Sequence, residues 1–251
     1  MFDMLPNQWT PTVPLIELAG DGPFRIEIAG DAVVAFRGPN GQIATLIDRC
    51  PHRSARLSNG TVQPDGLLRC PYHGWRFNDR GDCKQVPLNH LGEEQRQRLC
   101  VTRVPSIELA GCLWIYTGLN TDTPPHLPAS LDGDPTQFHV ATETWQTHWT
   151  RAVENFIDFS HLAYVHEKTI GGVMHHGAEN AAVVSSHIDA TDWGFINTHS
   201  FSEGPGFRLD WYRPNRTTLH FGPTDESKLN IFSVPISEEL TRVMTCRKLP
   251  E

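Results

Sequence analysis

Two short segments hold the residues whose types and spacing could do chemistry. Between residues 50 and 73 the chain reads Cys50-Pro-His52-Arg, then a turn-rich stretch with Asn59-Gly60 and Pro64-Asp65-Gly66, then Cys70-Pro-Tyr-His73-Gly-Trp. Each segment offers one thiolate and one imidazole on a turn that Pro51 or Pro71 stiffens by fixing φ. Two such turns facing each other make a four-ligand cage. A structural zinc usually pairs cysteine with cysteine and histidine with histidine around one tetrahedral ion, whereas each turn here mixes a soft ligand with a borderline one. That division suits two metals better: both thiolates on one iron, both imidazoles on a second, and sulfides bridging them. Two ferric ions, two sulfides and two thiolates carry no net charge, so an electron is accepted at a higher potential than with four thiolates, and a one-electron carrier is expected.

The second constellation is Asn155-Phe-Ile-Asp158-Phe-Ser-His161-Leu-Ala-Tyr-Val-His166. On a helix, at about 100° per residue, Asn155, Asp158 and His161 share one third of the circumference, while His166 falls about 140° beyond His161. For both histidines to bind one ion, the helix must kink, bulge or end near Ala163 to Val165. Two histidines and a carboxylate with open positions form the facial triad that holds ferrous iron for oxygen activation. That triad needs a carboxylate beyond this motif. The later candidates Asp210, Asp225, Glu226, Glu238 and Glu239 lack a convincing helical context and read as surface residues.

Cys50-Pro-His52 with Cys70-Pro-Tyr-His73-Gly-Trp resembles the Rieske domain of the Rieske non-haem iron oxygenases. The extra cysteines of respiratory Rieske proteins are replaced by Ala55 and Tyr72. The segment from Asn155 to His166 is similar to the same family's Asn-x-x-Asp-x-x-His-x-x-x-x-His motif, in the expected order. The resemblance implies a [2Fe-2S] Rieske cluster on Cys50, His52, Cys70 and His73, and a mononuclear Fe(II) on His161 and His166. It implies catalytic roles for Asn155 and Asp158, with Asp158 linking an iron histidine to a cluster histidine of the adjacent subunit in a head-to-tail homotrimer. It further implies electrons from a separate reductase or ferredoxin, and dioxygen activated for hydroxylation or oxidative demethylation of a small aromatic substrate. The family's third iron ligand is an aspartate on a late helix, and the chain stops at Glu251 before one appears. A fragment is the leading explanation; a substitute ligand and an incomplete iron site stay open. The rival reading is a Rieske electron-transfer protein whose second domain is structural or binds a partner.

These residues need elements to position them, and 251 residues leave room for two domains of an α+β protein. Residues 1–120 read as the all-β Rieske domain. Its strands are Phe24–Ile28, Val33–Phe36 and Ile43–Ile47, with a hairpin at Gly38-Pro-Asn-Gly41 and another at Asn78–Gly81, closed by Cys83–Val86. A further strand is expected over Gly111–Tyr116. Gly74 is expected to let the backbone pass near the cluster, Trp75 to shield it, and Arg53 and Arg56 to be solvated. The prolines of Thr121–Pro128 mark a linker, placed at 121–137. Residues 138–251 read as an incomplete catalytic domain, which the resemblance implies is an antiparallel sheet wrapped about a helix. Its helix is expected over Thr144 to Tyr164, followed by strands at Ala181–Ser185, Gly194–Thr198, Phe207–Tyr212, Thr217–Phe221 and Leu229–Val234. Between sheet and iron a substrate cavity is expected. The glycines of Ile170-Gly-Gly-Val-Met-His-His176 suggest a mobile loop at its mouth, with His175 and His176 exposed on it.

Net charge −8 without a basic run predicts no attraction to nucleic acid. No apolar run approaches the ~18 residues of a membrane span and no leader pattern is visible, so a cytoplasmic protein is expected. Cys83, Cys100, Cys112 and Cys246 lack disulfide spacing and read as reduced thiols.

Overall fold

The computed structural model describes residues 1–118, 124, 125, 127–169, 171, 172, 175, 184–201 and 206–250. The N-terminal half is built of short strands: β1 (Trp9–Pro14), β2 (Phe24–Ile28), β3 (Asp31–Arg37), β4 (Ile43–Ile47), β5 (Thr61–Val62), β6 (Leu68–Arg69), β7 (Arg76–Phe77) and β8 (Cys83–Gln85). A short helix α1 (Glu93–Gln97) leads to β9 (Ser106–Leu109) and β10 (Cys112–Tyr116). They form three antiparallel sheets, ordered β1-β10-β9, β2-β3-β4 and β5-β6-β7-β8. β3 explains how these sheets share cores. Residues 33 to 36 are all buried and apolar, and the two-residue period sends Val33 and Ala35 into one core and Val34 and Phe36 into another. The second core wraps Cys50, Cys70 and Trp75. The first joins the two halves of the chain, with Trp114 of β10 meeting Phe232 edge-on at 5.2 Å.

The C-terminal half contains β11 (Phe138–Trp145), α2 (Trp149–Ile157), α3 (Leu162–Val165), β12 (Val184–Thr191), β13 (Gly194–Phe201), β14 (Phe207–Tyr212), β15 (Arg216–His220), β16 (Lys228–Ser237) and β17 (Leu240–Lys248). They make one seven-stranded antiparallel sheet, ordered β11-β17-β16-β15-β14-β13-β12. Strand alternation gives this sheet two uses. Leu209, Leu219, Ile231 and Val243 pack beneath Ala152 of α2. From the opposite face Phe232, Val234, Met244 and Cys246 pack against the N-terminal half. No helix among the described residues is long and apolar enough to cross a membrane, and all six cysteines are free.

The strands expected at Phe24–Ile28, Ile43–Ile47 and Phe207–Tyr212 have those bounds, and the others differ at their ends. The expected strand at Ala181–Ser185 falls mostly on residues 181–183, outside the described ones; β12 begins at Val184. Within the stretch expected as a linker, residues 121–123 and 126 lie outside the described ones. Ala129–Leu131 and Pro135–Gln137 form 3-10 turns, and Leu131 enters the shared core. The helix expected over Thr144 to Tyr164 requires correction. Thr144 and Trp145 end strand β11, paired with Arg242 and Thr241 of β17. The helix starts only at Trp149, where His148 Nδ1 accepts the Thr150 N–H. It stops at Ile157 because Asp158 turns extended and its carboxylate accepts the Ser160 N–H at 2.9 Å, a local bond that competes with the helical ladder.

Candidate metal centres

The first cage is formed by two loops of matching construction. Cys50 N–H donates to Ala55 O and Ser54 N–H to Cys50 O, each at 2.9 Å. Cys70 N–H donates to Trp75 O at 2.8 Å and Gly74 N–H to Cys70 O at 3.1 Å. The fifth residue of each loop has a positive φ, 56° at Ser54 and 71° at Gly74, so both chains curl back the same way. The sulfurs end inside and the imidazoles outside. Cys50 and Cys70 are each 2% exposed, whereas His52 and His73 are exposed, with ring centroids 4.5 Å apart. Trp75 is buried and lies flat on His52 at 4.6 Å, and the exposed Tyr72 covers His73 at 3.9 Å.

Burial pushes the Cys50 thiol up to about 11, with Cys70 adding to the rise against the N–H groups of His52 and Arg53. The Cys50 sulfur so placed becomes a thiolate only beside a strong cationic charge, which is what ferric iron provides. The donor set and its inside-outside division therefore could hold a two-iron cluster. Asp48 secures the first loop and was not apparent from sequence. Its carboxylate, fully buried, accepts from Arg25 Nη1 at 2.5 Å, Ser58 N–H at 2.7 Å and Ser58 Oγ at 2.6 Å. This ties the end of β4 to β2 and to the turn beyond the loop. Both partners lie at least ten residues away, so no local pattern announces it.

In the second segment the backbone break at Asp158 and the four-residue α3 bring the histidines together. His161 precedes α3 and His166 follows it, and their rings sit 5.4 Å apart at 66°. The expected helix end near Ala163 to Val165 is present at Val165, and the earlier break at Asp158 is additional. His161 Nδ1 is buried with no hydrogen bond, and Asp158 Oδ2 lies 3.5 Å from it. With Nδ1 turned to Asp158, the converging rings could hold one metal ion. Asn155 is exposed on α2.

Among the described residues no three His, Cys, Asp or Glu side chains gather around one point as a single-ion site. Each cluster iron would take only two protein ligands, and the second site has two histidines, so neither needs such a trio from these residues. The expected later carboxylates do not join His161 and His166. Asp210, expected at the surface, is 2% exposed on β14. Burial raises its pKa, but hydrogen bonds from His220 and Arg208 outweigh that and leave it below the usual carboxylate range. Asp225 pairs with Lys228 at 2.6 Å in the 3-10 turn that also holds Glu226, and Glu238 and Glu239 are exposed between β16 and β17.

The loop beyond His166 also differs from expectation. A Cβ on Gly171 would fall 1.8 Å from Leu162 O, and Gly171 N–H donates to His166 O at 3.0 Å. That glycine lets the backbone pack closely against α3. His175 is half-buried, with Nε2 3.5 Å from Glu167 Oε2, while residues 170, 173, 174 and 176 lie outside the described ones.

Between the second segment and the sheet stands His199 of β13, 5% exposed. Its ring stacks on Phe159 at 3.9 Å, and Phe201 and Phe207 lie 5.9 and 5.2 Å from Phe159. Both its nitrogens are buried without a hydrogen bond, and burial lowers its pKa. Phe159 belongs to the histidine segment itself, so this unpartnered imidazole faces apolar walls next to the metal residues. The alternation Asn197, His199, Phe201 was a signal that could have found it. A larger cavity, about 820 Å³, opens on the opposite sheet face around Arg208, Asp210, Thr218 and His220.

Residues 8–102 match the model of the Rieske [2Fe-2S] domain, and residues 145–201 match that of the vanillate O-demethylase oxygenase C-terminal domain. With both domains in this order, the chain belongs to the Rieske non-haem iron oxygenases, whose cofactors are a Rieske cluster and a mononuclear iron. It is 34% identical to the 3-chlorobenzoate-3,4-dioxygenase oxygenase subunit of Comamonas testosteroni, over 69% of this chain and 40% of that protein. It is 33% identical to methylxanthine N3-demethylase NdmB of Pseudomonas putida, over 64% of this chain and 48% of that one. The chain thus spans less than half the length of these two relatives. The fold resembles that of dicamba monooxygenase bound to 3,6-dichlorosalicylic acid, with TM-score 0.76 and 19% identity over 96% of this chain and 77% of the other.

Proposed function

We propose that this chain is the catalytic portion of a terminal oxygenase, in which residues 1–120 store electrons and residues 138–251 hold the oxygen-activating iron. Cys50, His52, Cys70 and His73 bind the [2Fe-2S] cluster, and His161 and His166 bind Fe(II). When bound, the cluster supplies electrons one at a time and the iron activates dioxygen for hydroxylation or oxidative demethylation of a small aromatic compound. The residues around the metals have separable tasks. Trp75 keeps water from one face of the His52 ring, while the outer edges of His52 and His73 stay open to a ferredoxin or reductase. Asp158 orients the His161 imidazole and carries the hydrogen-bonded route to the cluster of a neighbouring copy in a head-to-tail homotrimer. Its side chain is about half exposed (51%), as a contact with another chain requires. Asn155 stands one helical turn before Asp158 and supports the same segment. Phe159, Phe201 and Phe207 form an apolar wall for an aromatic ring, with His199 as its polar contact. The free state of all six cysteines supports a cytoplasmic setting.

The observation that carries this reading over a plain electron carrier is the convergence of the His161 and His166 rings at 5.4 Å, with Asp158 beside His161 Nδ1. Iron and acid-labile sulfide analysis of reconstituted protein tests it. Three irons and two sulfides per chain are expected, falling to two irons in a His161→Ala, His166→Ala double variant. Two irons in the unaltered, iron-replete protein would leave only the carrier.

A further inference from the structure

A second cavity, about 460 Å³, lies where the N-terminal sheet meets the C-terminal one, between Trp9 and Trp114 on one side and Trp193, Tyr212 and Arg216 on the other. Arg216 begins β15 on the sheet face turned away from α2, so this cavity is separate from the metal residues. Its side chain is an anomaly. Arg216 is 7% exposed, its Nε is buried without a hydrogen bond, and among the described residues no carboxylate lies within ion-pair distance. The guanidinium instead sits 3.7 Å over the Tyr212 ring, and Trp193 stacks on that ring's plane at 4.0 Å. Tyr212 and, after it, Asp210 act against the effect of burial, but Asp210 is already held by Arg208 and His220. Burial accordingly lowers Arg216 to about 10. A buried cation is ordinarily paired, and the missing partner here faces a cavity rather than packed protein.

We propose that this cleft is a second small-molecule site, which binds an aromatic carboxylate with its acid group on Arg216 and its ring among the tryptophans. The chemistry of the walls selects that class. The planar guanidinium matches a carboxylate in two parallel hydrogen bonds, and the indoles of Trp9 and Trp114 suit a flat ring. Two neighbouring polar side chains are already engaged. Asn215 Nδ2 donates to Thr10 Oγ1 and Ser233 O, and Arg213 Nη2 donates to the carbonyl of Asp192. One available buried cation fits a monoanion, and the apolar lining disfavours a strongly hydrated phosphate dianion. A ligand here bridges β1 and β10 to β14 and β15, and so ties the two halves of the chain together.

Benzoate is the probe, measured by equilibrium dialysis on the full chain carrying His161→Ala and His166→Ala, so that the iron site cannot contribute. One equivalent should bind, with benzamide, which keeps the shape and lacks the charge, at least tenfold weaker. Adding Arg216→Leu should weaken benzoate at least tenfold, and Arg216→Lys should restore part of the loss. Absence of benzoate binding, equal binding of benzamide, or binding unchanged by Arg216→Leu would each overturn the proposal. If the leucine variant does not fold, the benzoate-to-benzamide ratio on the parent protein decides. Because the readout does not depend on iron, failure of the oxygenase reading leaves it untouched.

Discussion

Replacing Asp48 with alanine is the sharpest test of how the cluster cage is held. The change removes a buried carboxylate that receives a guanidinium N–H, a backbone N–H and a hydroxyl. Breaking a buried ion pair by deleting one partner costs about 3–5 kcal/mol, mostly because the other charge is stranded. Here the other charge is only partly stranded. Arg25 is 27% exposed and keeps Glu27 at 2.9 Å, so the lower end applies and the expected loss is about 3 kcal/mol. For a chain of this length each kcal/mol lowers the melting temperature by about 2–4 °C, which gives roughly 6–12 °C. The damage should be local, because Ser58 and the first ligand loop lose their anchor while the C-terminal sheet does not. Visible absorption of the reconstituted cluster should therefore fade at a lower temperature than far-ultraviolet circular dichroism. Asp48→Asn keeps the volume and one acceptor oxygen, and should cost about half as much. A melting point within 2 °C of the parent, on a scale of about 2–4 °C per kcal/mol, with the cluster retained after Asp48→Ala, would refute this account.

Other perturbations separate the roles assigned to the second segment. Asp158→Ala should leave cluster absorption intact and cut substrate-coupled turnover by roughly 10–100-fold, the usual range for losing a residue that orients a metal ligand; unchanged turnover would remove Asp158 from the electron route. Gly171→Ala drives a Cβ into Leu162 O, and should shift α3, cost about 1–3 kcal/mol and weaken Fe(II) binding, as read by urea unfolding and metal titration. His199→Phe keeps the stack on Phe159 and removes the polar contact, so the KM of a polar aromatic substrate should rise roughly tenfold, equivalent to about 1.4 kcal/mol, with its kcat little changed. The same variant has a pH signature. Burial lowers His199 in the folded chain, so the unfolded chain binds the proton more readily and stability falls as pH drops below about 6.5. Urea midpoints at pH 5.0, 6.0 and 7.5, on either side of a reference pKa of about 6.5, should show a smaller decline for His199→Phe than for the parent.

How much of this was legible in the sequence depended on how local the cause was. The strands Phe24–Ile28 and Ile43–Ile47 are bounded by turn residues and read correctly, because strand period and turn chemistry are both encoded within a few residues. The ligand pairs were legible for the same reason, since each cage loop is a single turn. The helix expected from Thr144 failed because Trp145, Trp149 and Val153 also satisfy helical spacing, and only the pairing of Thr144 and Trp145 with β17, nearly a hundred residues away, decides against it. Strand β17, between β11 and β16, has Arg242 and Arg247 interrupting its apolar residues, which leaves it without a clear strand pattern in the sequence. Asp48 and Arg216 were invisible as functional residues because their significance lies in partners, or missing partners, that only the tertiary fold defines.

The orientation of the two candidate centres bears on the proposed assembly. In the cluster cage the sulfurs point into the core and the imidazoles outward, with Tyr72 61% exposed over His73. In the second segment Asp158 also faces solvent, while the His161 ring it adjoins is mostly covered, at 17%. On the proposed route, an electron leaving through the imidazole edge would reach the molecular surface, and one arriving at His161 would enter from the surface at Asp158. Two exposed terminals on one chain are inefficient for internal transfer but complementary between chains, since one copy's His73 edge can dock against another copy's Asp158. Head-to-tail contacts of that kind are heterologous, and they close into a ring when the rotation per copy divides the circle. Tyr72→Glu, which puts a negative charge beside the carboxylate of Asp158 at such a contact, should weaken assembly in analytical ultracentrifugation without disturbing cluster absorption. Unaltered assembly with Tyr72→Glu would show that the cluster edge does not take part in the contact.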